Sequence, residues 1–310
     1  MNCIFENLFS WILFVASVIS GLCYVYDCKY NLKKRKAAVE EARVSLGSGF
    51  TKKQENKLLE PQGVVGQVGS LFYVIVLVFL IRSFLIEPFR IPSGSMMPTL
   101  QDGDFIVVNK FKYGIRNPLT NKPLIDISDP KRGDVVVFKY PEDKTVDFIK
   151  RVIGLPGDLI LYRDKKLYIL PKEAEQGARP TLIANILLGE GNSIDGIGRV
   201  EPFKTYEEDL LGNKHRMMIT DGTPSLEPYF YKQDRMQTAM WKVPEDSYFM
   251  MGDNRDNSKD SRFWGFVHKD QLVGEAFGIW LSLDFSRTPD SQRPSWLPSR
   301  VIFERIGGLK

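Results

Sequence analysis

Residues able to do chemistry concentrate in three short stretches. In the first, Pro92-Ser93-Gly94-Ser95-Met96-Met97-Pro98, two prolines and a glycine force an extended, turn-rich backbone that presents a serine hydroxyl outside regular pairing. A serine is a weak nucleophile until a base takes its proton. Histidine is scarce: only His215 and His268 occur, in no metal-spaced pair, so neither a serine–histidine dyad nor a zinc hydrolase is well supplied. The second stretch, Asp147-Phe148-Ile149-Lys150-Arg151-Val152-Ile153, offers a different base. If it is a strand, Phe148, Lys150 and Val152 share one face, while Asp147 and Arg151 share the other and can compensate each other. Lys150 is then a charge on an apolar face. To serve as a base near neutrality a lysine must drop about three units from its usual ~10.4, which costs about 4 kcal/mol and is within reach of a buried amine. A neutral Lys150 amine can take the Ser95 proton during attack on a peptide carbonyl and return it to the departing amine.

The third stretch is Gly252-Asp253-Asn254-Arg255-Asp256-Asn257-Ser258-Lys259-Asp260-Ser261-Arg262, in which Asx and glycine residues bond to nearby backbone and stiffen a loop. Interspersed arginines and the lack of a distal glutamate argue against calcium. Each stretch also has a plainer reading: a linker after an apolar segment, a lysine snorkelling to water, and an Asx-rich turn. Ser128-Asp129-Pro130-Lys131 formally fits S-x-x-K, but Pro130 disfavours the helix needed to align the pair.

The elements that must position these residues begin in lipid. From Asn7 to Tyr26 the chain carries no charge, and these residues cover roughly 30 Å as a helix, one bilayer crossing. A second uncharged run extends from Pro61 to Ile81 and ends at Arg82. The expected organisation is a short outward N-terminus (1–6), transmembrane helices over 7–26 and 61–82, and a basic loop over 27–60. That loop holds nine basic residues, including Lys33-Lys34-Arg35-Lys36, against five acidic ones, which favours a cytoplasmic location and puts everything after Arg82 outside. Ser95 lies 14 residues past Ile81, so even an extended tether keeps it within roughly 50 Å of the bilayer face.

Beyond Arg82 the apolar pattern shortens to strand-length pieces at 104–111, 133–140, 146–153, 159–170, 247–251 and 272–283, punctuated by Leu155-Pro156-Gly157-Asp158 and Arg163-Asp164-Lys165-Lys166. No amphipathic helix stands out, so the fold class expected is mainly β. A largely antiparallel core spans 83–170 and 247–310, and the polar, irregular, motif-free segment 171–246 is either an insertion in that core or a second small lobe. The 310 residues bury an ordinary core without staples, and the three cysteines, Cys3, Cys23 and Cys28, all lie by the first apolar segment. No disulfide framework, catalytic thiol, metal site or cofactor is expected. The net charge of +4 is small and forms no basic stripe, which argues against nucleic acid as a partner.

Taken together, Ile91-Pro92-Ser93-Gly94-Ser95-Met96-Met97-Pro98 with Asp102-Gly103-Asp104, RGDVVVF (132–138), FIKRVIGLPGD (148–158) and MGDNRDNSKDSRFWGFV (251–267) resemble the bacterial type I signal peptidases, in the family's order and after two membrane spans. The tail ERIGGLK resembles Gram-negative members. That resemblance implies a membrane-bound serine endopeptidase of the bacterial inner membrane, with its catalytic domain on the periplasmic side. Its partners would be the lipid bilayer and preprotein signal peptides with small residues at positions −1 and −3. It implies Ser95 as nucleophile, Lys150 as general base, and an oxyanion hole from the Ser95 N–H and the Ser93 hydroxyl. Ser258 would orient the Lys150 amine, Asp260 and Arg262 would brace the loop, and Phe89, Ile91, Leu100, Ile106 and Ile149 would line the substrate pockets. Some relatives carry a disulfide in the outer region, where this chain has no cysteine. Self-cleaving Ser–Lys repressors lack the paired spans. The alternative from another class is a noncatalytic membrane-anchored β-module that binds exported polypeptides. Trp296 and nearby apolar residues are candidates for lipid contact.

Overall fold

A computed structural model describes residues 8–194, 200–285, 294 and 297–309, which divide into two compact units. Residues 1–6, Cys3, Trp296 and Lys310 lie outside the described residues.

The first unit is helical. α1 (Leu8–Tyr26) runs through a π-helical turn at Asp27–Asn31 into α2 (Leu32–Leu46), and after a break α3 (Lys52–Leu59) follows. α4 (Gly63–Ser70), α5 (Phe72–Leu80) and a π-helical turn to Leu85 complete the unit. The continuous helices Leu8–Leu46 and Gly63–Leu85 are long and apolar enough to cross a membrane. Phe9, Leu22, Val74 and Leu77 are all more than half exposed, a distribution that suits lipid and not water. Where the helices meet, small residues admit close approach: a Cβ on Gly69 would come within 2.9 Å of the Tyr24 backbone nitrogen. The basic segment expected as a loop over 27–60 is therefore largely helical. In its first turns Arg35 closes on Asp27 at 2.6 Å, a pairing across eight positions that charge counting does not reveal.

The second unit is mainly antiparallel β. Its principal sheet runs β1 (Ile86–Arg90), β2 (Asp104–Asn109), β7 (Leu272–Asp284), β3 (Val135–Lys139), β4 (Asp147–Gly154), β5 (Ser247–Met251) and β6 (Val267–His268), in that spatial order. The pattern of each strand explains its place. β2 alternates buried and half-buried residues, as a strand with one covered face does, whereas β3 (VVVFK) and β5 (SYFMM) are buried throughout and have a strand on each side. In β3, Val135 and Val137 pack with Ile106 and Val108, while Val136 and Phe138 pack with Val152 and Met250. Bulges in β7 near Gly274, Gly278 and Leu281 bend that strand, which also pairs with Arg300–Val301 and Gly307–Gly308.

Both expected turns form. Arg163-Asp164-Lys165-Lys166 joins Leu159–Arg163 to Lys166–Leu170, with Asp164 and Lys165 at positive φ, and Asp158 N–H donates to the Leu155 carbonyl at 3.1 Å. The segment 171–246 departs from expectation because it is not irregular. Ala184–Ile194, Val200–Leu210 and Asn213–Thr220 form a three-stranded antiparallel ribbon. Thr181–Leu182 and Met240–Lys242 complete a four-stranded sheet with the 159–170 hairpin. Much of the ribbon is exposed, including Ile186, Leu187 and Leu188, so it lacks the alternation that marks a half-buried strand.

Candidate active site

The segment 92–100 leaves β1 and returns to β2 as a series of turns, tied by Met97 N–H donating to the Gly94 carbonyl and Leu100 N–H to the Met96 carbonyl. Met96 and Leu100 are wholly buried and anchor it in the core, with Ser95, next to Met96, half-buried and Ser93 exposed. Across from this segment, Lys150 projects from β4 on the same face as Phe148 and Val152 and is only 4 % exposed. Its Nζ lies 2.6 Å from Ser95 Oγ and donates to the Ile149 carbonyl at 2.9 Å. The nucleophile and base expected from sequence thus meet across 55 positions of chain.

Burial pushes the Lys150 amine down from 10.5 to about 8, against the upward pull of the Asp260 and Asp253 carboxylates and with help from the Arg262 cation. Such an amine is partly neutral near pH 8 and can act as a base. His215 does not take that role: burial pushes it down to about 4, and its ring lies 3.3 Å from Glu208 and 3.7 Å from Asp253. His268 is exposed and caps the turn Lys269–Gln271.

The loop after β5 is rigid for identifiable reasons. Asp260 caps the short helix Ser261–Trp264, receives both Nε and Nη2 of Arg262 at 2.8 Å, and accepts the Gly252 N–H at 3.0 Å. Burial alone would raise the Asp260 carboxyl, but these partners hold it below the usual range. Arg262 Nη2 also donates to the Arg255 carbonyl at 2.5 Å, which ties both ends of the loop. Asp260 and Arg262 therefore brace each other. Ser258 is buried, and a Cβ on Gly252 would stand 2.2 Å from Ser258 Oγ and 2.5 Å from the Ser95 carbonyl oxygen. Only a glycine lets the loop pass so close to Ser95. Lys150 hydrogen-bonds to Ser95 and Ile149, and the bond expected from Ser258 is not among its contacts.

Sequence reasoning missed four contributors. Asn254 donates its N–H to the Ser95 carbonyl at 3.1 Å and its Nδ2 to the Gly94 carbonyl at 3.0 Å. Arg151 does not compensate Asp147, which pairs with Lys139 at 3.0 Å. It instead grips Asp253 through Nε at 2.8 Å and Nη2 at 2.6 Å, and Thr99 Oγ1 donates to the same carboxylate at 2.5 Å. This links β4, the serine segment and the loop. A period-two reading identifies faces, not partners 102 positions away. Phe89, Ile91, Leu100, Ile106 and Ile149, expected to line the substrate pockets, belong to one apolar cluster, of which Ile91, Leu100 and Ile106 are buried while Phe89 and Ile149 keep exposed surface. Among the described residues no three His, Cys, Asp or Glu are grouped to hold a metal ion.

Comparison with known proteins bears on the same residues. The family model for signal peptidase, peptidase S26, matches residues 65–281, a span that includes Ser95, Lys150 and the 252–262 loop. Signal peptidase I of Buchnera aphidicola subsp. Acyrthosiphon pisum is 35 % identical over 98 % of this chain and 99 % of its own length. Signal peptidase I of Buchnera aphidicola subsp. Schizaphis graminum is 43 % identical over 78 % of this chain and 80 % of its own. That of Pseudomonas fluorescens is 38 % identical over 97 % of this chain and 99 % of its own. On a family match across most of the chain and near full-length relatives, the chain belongs to the signal peptidase I family, peptidase S26.

Proposed function

We propose that the chain is a membrane-anchored serine endopeptidase that removes signal peptides from exported preproteins, with Ser95 as nucleophile and Lys150 as general base. The observation that carries this reading is the 2.6 Å approach of Lys150 Nζ to Ser95 Oγ on an amine that burial has made a weaker base. Lys150 takes the hydroxyl proton as Oγ attacks the carbonyl carbon of the signal peptide's last residue. The carbonyl oxygen becomes the oxyanion, which the Ser95 N–H and the exposed Ser93 hydroxyl stabilise. Collapse breaks the C–N bond, and the new amino terminus leaves with the proton from Lys150. Water, deprotonated by the same amine, then hydrolyses the acyl-enzyme.

Ser258 is assigned to hold the amine while Ser95 is acylated, a role its buried place beside Gly252 suits. Phe89 and Ile149 offer apolar surface over the Ile91–Leu100–Ile106 core, which fits small side chains at substrate positions −1 and −3. The basic segment between the apolar helices supports a cytoplasmic location for that segment and a periplasmic one for the β unit, at the inner membrane.

The test is cleavage of a purified preprotein by wild type, Ser95→Ala and Lys150→Ala, with the cut site read by mass spectrometry. Wild type should cut after Ala-x-Ala, and both variants should lose at least about a thousandfold in kcat. Unimpaired cleavage by either variant would remove the Ser–Lys reading and favour a noncatalytic binding module or a different mechanism.

A further inference from the structure

The ribbon of strands Ala184–Ile194, Val200–Leu210 and Asn213–Thr220 lies outside the three stretches that carry the chemistry, yet it is fastened to the loop behind the nucleophile at consecutive positions. Met218 N–H donates to the Asp253 carbonyl at 2.8 Å, and Met218 forms a parallel bridge with Asn254. Thr220 N–H and Lys165 Nζ both donate to Asp256 Oδ2 at 2.9 Å. Between them, Glu208 on strand Val200–Leu210 receives Arg255 through both guanidinium arms, Nη1 to Oε1 at 2.8 Å and Nη2 to Oε2. Glu208 is fully buried and Arg255 is 2 % exposed. A fork-to-fork pair fixes direction as well as distance, and a buried guanidinium that loses its carboxylate is strongly unfavourable.

Arg255 stands where that constraint reaches the chemistry. The residue before it, Asn254, holds the Ser95 and Gly94 carbonyls, and the carbonyl of Arg255 receives Arg262 Nη2. Two other buried cations, Arg151 and Arg262, already have carboxylates of their own in Asp253 and Asp260. Neither acid is free to replace Glu208.

We infer that Glu208 is a positioning residue for signal-peptide cleavage, acting through Arg255 on the loop that holds the main chain of Ser95. This rests on the reading of Ser95 as nucleophile. Among the described residues the apolar cluster of Phe89 and Ile149, the proposed substrate surface, includes none from the ribbon, so loss of Glu208 should slow the chemical step and leave substrate affinity nearly unchanged.

The test uses the full-length enzyme in lipid–detergent micelles with a purified preprotein, comparing Glu208→Gln, Glu208→Asp, Glu207→Gln and Ser95→Ala, with folding followed by thermal unfolding. Glu207 pairs at the surface with Lys214 and serves as the neighbouring charge control. Folded Glu208→Gln should lose at least tenfold in kcat with KM within twofold, while Glu207→Gln stays within twofold in both. If Glu208→Gln does not fold, Glu208→Asp, which keeps the charge but withdraws it by one methylene, should lose at least fivefold in kcat at constant KM. A kcat within twofold of wild type in the folded glutamine variant overturns the inference. So does an equal loss in Glu207→Gln, a loss carried by KM, or failure of both Glu208 variants to fold. Cleavage by Ser95→Ala at the wild-type rate would instead remove the nucleophile assignment.

Discussion

Asn254 holds the main chain at Ser95 at two successive points, its N–H on the Ser95 carbonyl and its side-chain amide on the Gly94 carbonyl. Both bonds act on the backbone and leave the Ser95 hydroxyl free for Lys150, so the loop places the serine without competing for its proton. The Met97 N–H donates to the same Gly94 carbonyl, which makes residue 94 the pivot of the segment.

Replacing Asn254 by Ala keeps the main-chain bond and removes the side-chain one. Loss of one such bond is worth about 1 kcal/mol, so kcat should fall roughly five- to tenfold while the thermal midpoint moves little. Steady-state kinetics on a preprotein checks this, and a change in KM alone would count against a placing role.

What the sequence disclosed follows from the range of the interactions concerned. Strands such as Asp104–Asn109 and Val135–Lys139 were legible because alternation or continuous apolarity is written within a few residues, and the 163–166 turn because its charges interrupt two apolar runs. Lys150 was legible as a misplaced charge between Phe148 and Val152. The ribbon was not, since exposed Ile186 and Leu187 stand beside buried Glu208 and reverse the usual pattern. Nor was the true partner of Arg151: Asp147 was nearer in sequence and on the same strand face, but cross-strand Lys139 took it and Asp253 came from a loop formed much later in the chain. The Ser95–Lys150 pair became specific only through motif resemblance, because each residue has an ordinary reading when taken singly.

Gly252→Ala tests the closeness of the loop to Ser95. Its Cβ would stand 2.5 Å from the Ser95 carbonyl oxygen, a backbone atom held by Asn254, and 2.2 Å from Ser258 Oγ. The serine segment must then shift by a large fraction of an ångström, for which about a hundredfold loss of kcat is expected. Normal turnover with normal folding would show that the segment yields without consequence.

The Asp253–Arg151 pair makes a prediction about stability. Both side chains are almost wholly buried, and removing one partner leaves an uncompensated charge, at a typical loss of about 3–5 kcal/mol. Asp253→Asn should lower stability by this order in denaturant unfolding and reduce activity, because Thr99 on the serine segment also bonds to that carboxylate. A loss below about 1 kcal/mol would mean that water or a rearranged neighbour replaces the pair.

Lys150 links activity and stability through one proton. Its folded pKa of about 8 lies below its ordinary 10.5, so the unfolded chain binds the extra proton between those values. Stability therefore carries the full unfavourable contribution of a buried cation below pH 8, about 3 kcal/mol for a shift of this size. It rises through pH 8 toward 10.5 as the folded amine and then the unfolded one lose their protons. Lys150→Met lacks this group, so the stability of wild type minus that of Lys150→Met should increase by about 3 kcal/mol across the same window. The ascending limb of kcat/KM should also titrate near pH 8, where the free enzyme acquires the neutral amine. An NMR titration that placed the folded Lys150 near 10, with a flat stability difference, would exclude it as the base.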